Sequence, residues 1–442
     1  MRGVWNRPIG RLGLGLLLIV FGPVWAAEYY VDQGHPRASD DNPGSEQRPW
    51  ATLQRAARAP LKPGDTVYVK AGHYDVRSGG AWNRPAVNIP GGAPGKPVTF
   101  KSLPAHAAVL QASPANPAIG VNGNSHVVID GFVIPKSGPK GIAVFGEPSA
   151  PVRDVVIRNN IIHGIYLDGV DNAEAIRIEN AREVLVRNNR IYDVRNGGGS
   201  SNASAVKTYN TQDVTVEHNE IFDVIAGIKE KYRSTGLTIR NNLLRDCRYG
   251  FVLNTQRDGV TRDIRIYQNV VACDSGFRTT TQPGTELREV HIYNNTFVGY
   301  REQAWEGSEH GRGLYIYNNI FYRPGPIAPA DFLTRQPDTA EIRRMDYNLF
   351  LQEPKAIVGL YTRNDTFTSL ASWRRGQRGL SQHDLVGDPR FVDPERGDYR
   401  LKPDSPAIGL GREGGVPDGR PVNAGAYPTG SEVIGLIGPP WQ

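Results

Sequence analysis

VVIRNNII (155–162), VLVRNNRI (184–191), VTVEHNEI (214–221), LTIRNNLL (237–244), IRIYQNVV (264–271), VHIYNNTF (290–297) and LYIYNNIF (314–321) recur along the middle of this 442-residue chain. The second polar residue of each is Asn160, Asn189, Asn219, Asn242, Asn269, Asn295 or Asn319. The intervals are 29, 30, 23, 27, 26 and 24 residues. A helical repeat of fixed length does not drift in this way. A solenoid of short strands does, because insertions fall in loops while the strand core keeps its register. Alternating apolar residues, a polar pair and a second short apolar run read as strand, tight bend, strand. Asn tolerates the left-handed backbone such a bend needs. Stacked Asn side chains on neighbouring coils can also bond to one another and to backbone. The competing reading is a β-sandwich with coincidental Asn turns.

The N-terminus reads as a secretory signal over 1–26. Arg2, Arg7 and Arg11 precede an apolar run, Leu12 to Phe21, and then Val24-Trp25-Ala26-Ala27. That run is too short to span a membrane, and no other stretch is long enough. The expectation is an exported protein, periplasmic or extracellular, acting as a monomer without membrane insertion. Formal net charge is +6. Three of the 51 basic residues leave with the signal, so the mature chain carries 48 basic against 45 acidic residues. Overall charge is therefore a weak argument for a polyanionic partner, and the placement of the basic residues must carry it. Fifty Gly and 33 Pro fit a loop-rich β protein. Cys247 and Cys273 each lie three residues before a Gly that opens a strand, Gly250 and Gly276. They occupy equivalent places on adjacent coils, within disulfide reach at about 4.8 Å. A bond and a pair of stacked core thiols both remain open.

Residues 27–110 read as an N-terminal cap and first coils. They hold a strand at Tyr29 to Val31, a short amphipathic helix at about Trp50 to Arg58, and the strands GDTVYVKAGHY (64–74) and PVTFKS (97–102). The helix suits the open end of a solenoid. Residues 111–350 read as regular coils. Residues 351–442 are a Gly/Pro/Asp-rich flank expected to lie along the solenoid.

YYVDQGHPRASDDNPGSEQRPWATLQRA…LKPGDTVYVKAGHY near the start and SLASWRRGQRGLSQHDLVGDPRFVDPERGDYRLKPDSPAIG near the end resemble bacterial exported right-handed parallel β-helix proteins. That group includes the polysaccharide lyases of family nine. The resemblance covers most of the mature chain and implies an all-β, right-handed parallel β-helix. It lies in scaffold segments and implies carbohydrate chemistry in general terms only.

Strands GIAVF (141–145), AIRIE (175–179), AVKTY (205–209), GIKEK (227–231), GFVLN (250–254) and GFRTT (276–280) precede most Asn segments, with AWEGS (304–308) as the next. Alternation sends their second and fourth residues inward and their third and fifth outward. The third column is then Ala143, Arg177, Lys207, Lys229, Val252, Arg278 and Glu306. The fifth is Phe145, Glu179, Tyr209, Lys231, Asn254, Thr280 and Ser308. In lyases of this kind the resemblance makes this sheet the floor of the substrate cleft. Arg177, Lys207, Lys229 and Lys231 would face out together over three rungs, with Tyr209 beside them. Like charges that close lower a Lys pKa, and a neutral Lys is a usable general base. Cleavage of a uronic-acid polymer by β-elimination needs a base for the C5 proton and positive charge for the enolate. Lys207, Lys229 and Lys231 are the candidate bases. Arg177, Tyr209, Arg233, Asn254 and Arg278 are the candidate substrate contacts. A solvated charged face is the bland alternative. The loops at 161–174 and 190–204 are the longest in the regular part, and sites are built on such loops. Glu230 falls inward and is expected to need a partner, with Lys229 or Lys231 in view.

Family-nine lyases resemble this chain in placing a Lys where Lys231 stands, four residues after Gly227, and they use calcium held by Asp. The following coil, DCRYGFVLN, departs from that pattern. Asp168, Asp171, Glu174 and Glu179 are the oxygen ligands available for calcium here. The Asp motifs of polygalacturonase-like hydrolases and the Asp-Pro-His-Asp motif of alginate epimerases are absent. His163, His218, Trp305 and Glu306 are secondary candidates. Nothing points to nucleic acid. The leading expectation is an exported lyase for an acidic polysaccharide. A non-catalytic carbohydrate-binding or envelope-matrix protein, or a glycosidase or epimerase, are the alternatives.

Overall fold

A computed structural model describes residues 26–77, 83–112, 116–166, 168–256, 259–307, 311–323, 331–334, 342–351, 358–362, 365–367, 369–376, 379–438 and 441. The secretory-signal reading lies outside these residues apart from Ala26. Parallel strands stack rung on rung into one continuous sheet of 29 strands, wrapped into three faces. The first face holds Lys140–Phe145, Glu174–Glu179, Ser204–Tyr209 and the C-terminal halves of Glu220–Tyr232, Leu243–Thr255 and Val270–Thr280. The second holds Val152–Arg158, Ala181–Arg187, Gln212–Glu217, Thr238–Arg240, Val260–Tyr267 and Glu286–Tyr293. The third includes Ile161–Ile165 and Arg190–Val194. The interior is filled by inward residues such as Ile176, Val206, Ile228, Phe251, Phe277 and Trp305, all essentially inaccessible.

Between the second and third faces the chain bends through the Asn pairs. The second Asn of each pair is buried and forms a ladder. Asn160 donates its backbone N–H and its Nδ2 to Asn189 Oδ1, both at 3.0 Å. The same pair of bonds repeats through Asn219, Asn242, Asn269, Asn295 and Asn319. The ladder extends one rung further than the sequence motif, to Asn348, and ends on Asp384 Oδ1. The first residue of each pair adopts the left-handed region, with φ between 51° and 58° from Asn159 to Asn318. Asn and His tolerate it because their polar side chains bond locally.

The N-terminal helix is shorter than its pattern suggests, Leu53–Ala57. Thr52 takes an extended backbone and caps it by accepting from the Arg55 N–H at 3.1 Å, so the preceding residues cannot be helical. Leu53 and Ala56 are its buried face. Cys247 and Cys273 pair in register on adjacent rungs and are disulfide-bonded, with Cα atoms 4.6 Å apart. The C-terminal flank runs back along the Asn bends. Asn318, Asn294 and Asn188 donate to the carbonyls of Arg412, Asn423 and Ile437. Trp441 reaches His106, with ring centroids 4.4 Å apart. Among the described residues no helix is long and apolar enough to cross a membrane.

Asn242→Ala tests the ladder. It removes the acceptor of the Asn219 N–H and Nδ2, and the donor to the Val216 and Arg240 carbonyls. Each buried group left unpaired costs about 1–3 kcal/mol. Urea unfolding is expected to show a loss of roughly 3 kcal/mol or more. A loss under about 1 kcal/mol would mean the rungs are held by packing alone.

Candidate functional site

The strand register places the outward columns as alternation predicts. Arg177 pairs with Lys207, Lys207 with Lys229, Lys229 with Val252, Val252 with Arg278 and Arg278 with Glu306. Glu179, Tyr209, Lys231, Asn254 and Thr280 form the neighbouring column. Ser308 lies outside the described residues.

The basic cluster expected to face out on a cleft floor is instead covered, and the alternative of a solvated charged face does not form either. Lys207 is fully buried, Lys229 is 1% exposed and Arg177 is 8% exposed. Two loops entering the first face fold over them. The Asp171 carboxylate of one loop accepts from Ser200 and Asn202 of the other, and Asn196 donates to the Asp171 carbonyl. These stitched loops then receive the ammonium groups. Lys207 Nζ donates to Asn172 Oδ1 at 2.9 Å and to the Asn202 carbonyl at 3.1 Å. Lys229 Nζ donates to the Ser201 carbonyl, Ser201 Oγ and Asn202 Oδ1 at 3.1, 3.0 and 3.0 Å. Rung Glu220–Tyr232 bends straight from third face to first with no long loop, so loops of earlier rungs cover its lysine.

Glu174 sits at the centre of the network. Its carboxylate lies 3.0 Å from Arg177, 3.4 Å from Lys207 and 3.8 Å from Lys140, and accepts from Tyr209 Oη at 3.0 Å. Arg177 also grips Glu179 at 2.7 Å and lies 4.1 Å over the Tyr209 ring. Burial pushes Lys207 down to about 8, against the pull of Glu174. Burial pushes Lys229 down to about 7, helped by Lys207, Lys231 and Arg278. Lys140, lowered by burial as well, belongs to this network and was missed by the sequence reading. The signal was one residue upstream of the columns considered, where Lys140 pairs with Glu174.

The remaining candidates divide clearly. Arg177 and Tyr209 are enclosed behind the network, not on a cleft floor. Lys231 and Asn254 are half-buried, and Arg233 is exposed. Arg278 pairs with Glu306 at 3.2 Å and is partly open. Lys231 Nζ lies 5.4 Å from the Tyr232 ring centroid and 5.9 Å from that of Tyr209. Glu230 does point inward, but it meets neither lysine, since its neighbours alternate to the other side. It accepts from Thr261 Oγ1 at 3.1 Å inside the core, and burial pushes its carboxyl up to about 8.

The four acids considered for calcium do not converge. Asp168 accepts from Tyr166, Asp171 ties the loops, and Glu174 and Glu179 are held by Arg177. Among the described residues no group of three His, Cys, Asp or Glu side chains is placed to hold a metal. A carboxylate such as Glu174, already facing Arg177, Lys207 and Lys140, is poorly suited to a second cation. His163 stacks on Tyr192, and His218 occupies a bend with φ 53°.

Residues 117–321 match the family model for the right handed beta helix region. The protein has the right-handed parallel β-helix fold. No curated protein matches the chain in sequence. Among solved structures it is similar to pectate lyase Pel9A, at 16% identity over 91% of this chain and 96% of that one, with a TM-score of 0.55. It is also similar to the A-module of the Azotobacter vinelandii mannuronan C-5 epimerase AlgE4, at 14% identity over 73% and 88%, with a TM-score of 0.52. Likeness at this identity establishes the β-helix architecture.

The low pKa of Lys229 has a stability signature. Between about 7 and its usual value near 10.4 the unfolded chain holds the proton and the folded protein does not. Stability tied to this group therefore grows as pH rises through that window and is lowest, and level, below about 7. Glu230, with its raised pKa, pulls the opposite way up to about pH 8. Comparison with Lys229→Met isolates the lysine. From pH 7 to 9 the wild type is expected to gain about 2 kcal/mol more than the variant in urea unfolding. Parallel pH profiles would show an ordinary, hydrated ammonium.

Proposed function

We propose that this β-helix is a carbohydrate-active enzyme that cleaves an acidic, uronic-acid-containing polysaccharide by β-elimination. The observation that carries this reading is the position of Lys231. It is the half-buried lysine at the edge of a cluster whose other members, Lys207 and Lys229, are sealed beneath the loops. A base must touch the proton it removes, and Lys231 is the lysine of the three that an external polymer reaches. Two proteins of the same fold support the substrate class: one is named for pectate and one for mannuronan, both polyuronates.

In this reading Lys231 takes the C5 proton. The electron pair forms the C4–C5 double bond as the C4–O bond breaks, and the leaving oxygen takes a proton from solvent. Charge developing on the carboxylate is stabilised by the partly open Arg278, with exposed Arg233 as a further contact. The buried lysines fix the loops, and Lys207, charged below about pH 8, adds positive potential from behind, where little water screens it. Calcium enters no step, because the acids on this face are already held by cations and loop amides.

The sealed state of Lys207 and Lys229 also favours a second reading. If the cluster exists to hold the loops, the face would bind a polyanion without turning it over. Mixing the protein with pectate, alginate, glycosaminoglycans and glucuronate exopolysaccharides separates the two. A lyase produces an unsaturated uronate and a rise in ultraviolet absorbance. Lys231→Ala is expected to lower the rate at least about 100-fold with polymer affinity unchanged. A flat trace from the wild type across the whole panel would leave the binding reading.

A further inference from the structure

Around the corner from Lys231, where the first face turns into the second, lies a cavity of about 380 Å³ lined by Arg182, Arg233 and Arg262 with Asn210, Gln212 and Thr235. Strand register shows that it is part of something longer. Arg153, Arg182, Gln212, Thr235, Arg262, Arg288 and Arg312 occupy one column on seven successive rungs. Five of those seven positions are arginine. Like charges on directly opposed strand positions destabilise a sheet. Such a column is therefore a cost unless anions neutralise it.

The column is incompletely neutralised within the fold. Arg262 meets Asp263 at 3.8 Å and Arg288 meets Glu286. Among the described residues neither Arg153 nor Arg182 has an ion pair, and Arg182 Nε is buried without a hydrogen-bond partner. Asn210 Oδ1 is in the same condition. An acidic residue follows the arginine at several rungs, but its left-handed φ turns the chain there: Asp154 at 52°, Glu183 at 56°, Asp263 at 58°. Asp154 is spent on His126, and none of these carboxylates lines the cavity. Arg233 crosses Gly259 so closely that a Cβ there would lie 2.0 Å from its Cγ. A bare α-carbon at 259 is thus what lets Arg233 reach over the groove.

We propose that this arginine-lined corner is a binding groove for an acidic polysaccharide, which runs along the solenoid axis with its carboxylates on successive rungs. The inference rests on the acidic-polymer reading above and adds the surface that holds the chain. Rungs are about 4.8 Å apart, comparable to the length of a pyranose ring, so one charged sugar per rung is geometrically natural. Guanidinium groups pair carboxylates bidentately, and Asn210, Gln212 and Thr235 supply amides and a hydroxyl for sugar hydroxyls. No aromatic ring lines the cavity, whereas single-stranded nucleic acids are held largely by stacking on aromatic side chains. Lys231 and Arg233 are two residues apart, so a polymer seated here passes the edge of the proposed base.

Affinity electrophoresis in gels containing polygalacturonate, alginate or hyaluronan tests the groove, with dextran as the neutral control and oligo(dT) as competitor. Arg182→Ala/Arg262→Ala is expected to weaken retention by at least one polyanion about ten-fold or more and to flatten its salt dependence. Arg396→Ala removes a charge that is 87% exposed in the C-terminal flank, and it is expected to leave retention within about two-fold. Should the double variant fail to fold by circular dichroism, Arg262→Glu, on an exposed side chain, carries the same expectation. Retention unchanged in the arginine variants, no retention of the wild type by any polyanion, or equal displacement by oligo(dT) would overturn the proposal. Polymer retention that depends on these arginines, without turnover by the wild type, would leave the groove standing and remove the lyase.

Discussion

One amide on each rung from Asn160 to Asn348 sets the register of this molecule. The buried Asn of each bend gives its carbonyl to the backbone N–H and side-chain amide of the previous rung, and its own amide to carbonyls beneath. Backbone groups in a tight buried bend cannot be left unpaired. The ladder pairs them between coils, which locks each rung at a defined rotation over the next. Columns of side chains follow from that. A basic column on the first face, an arginine column at the corner and a hydrophobic interior are three readouts of one register.

That register was legible in the sequence because strand alternation and Asn spacing are local signals. Arg177, Lys207 and Lys229 stand on one column and Glu179, Tyr209 and Lys231 on the next, as alternation requires. Glu230 faces the core for the same reason. What lay beyond local pattern was the covering. Whether Lys207 meets water depends on Asn172 and Asn202, which stand 35 and 5 residues away and belong to loops with no periodicity. The same gap explains why the candidate acids take separate roles. Asp171 and Glu174 are three residues apart, yet one ties a loop and the other anchors a buried ion cluster. Asn348 escaped notice because MDYNLF lacks the doubled polar pair, although it continues the ladder.

The buried cluster shows how a charged group is kept inside. Glu174 is fully enclosed, and burying it unpaired would be expensive. Arg177, Lys207, Lys140 and Tyr209 surround it, and the excess positive charge is relieved by lowered lysine pKa values. The arrangement ties three rungs and two loops into one polar knot, held at a place where the hydrophobic interior does not reach.

Solenoids are close to one-dimensional: each repeat touches its neighbours, and an end can peel away while the middle stays intact. The C-terminal flank changes that mechanics here. It bonds to Asn318, Asn294, Asn241 and Asn188 in turn and sets Trp441 against His106 and Arg190. A segment tied to rungs so far apart works like a batten nailed across stacked planks. A tied rung that frays must also break its contact with this segment, so rungs far apart along the solenoid are mechanically coupled.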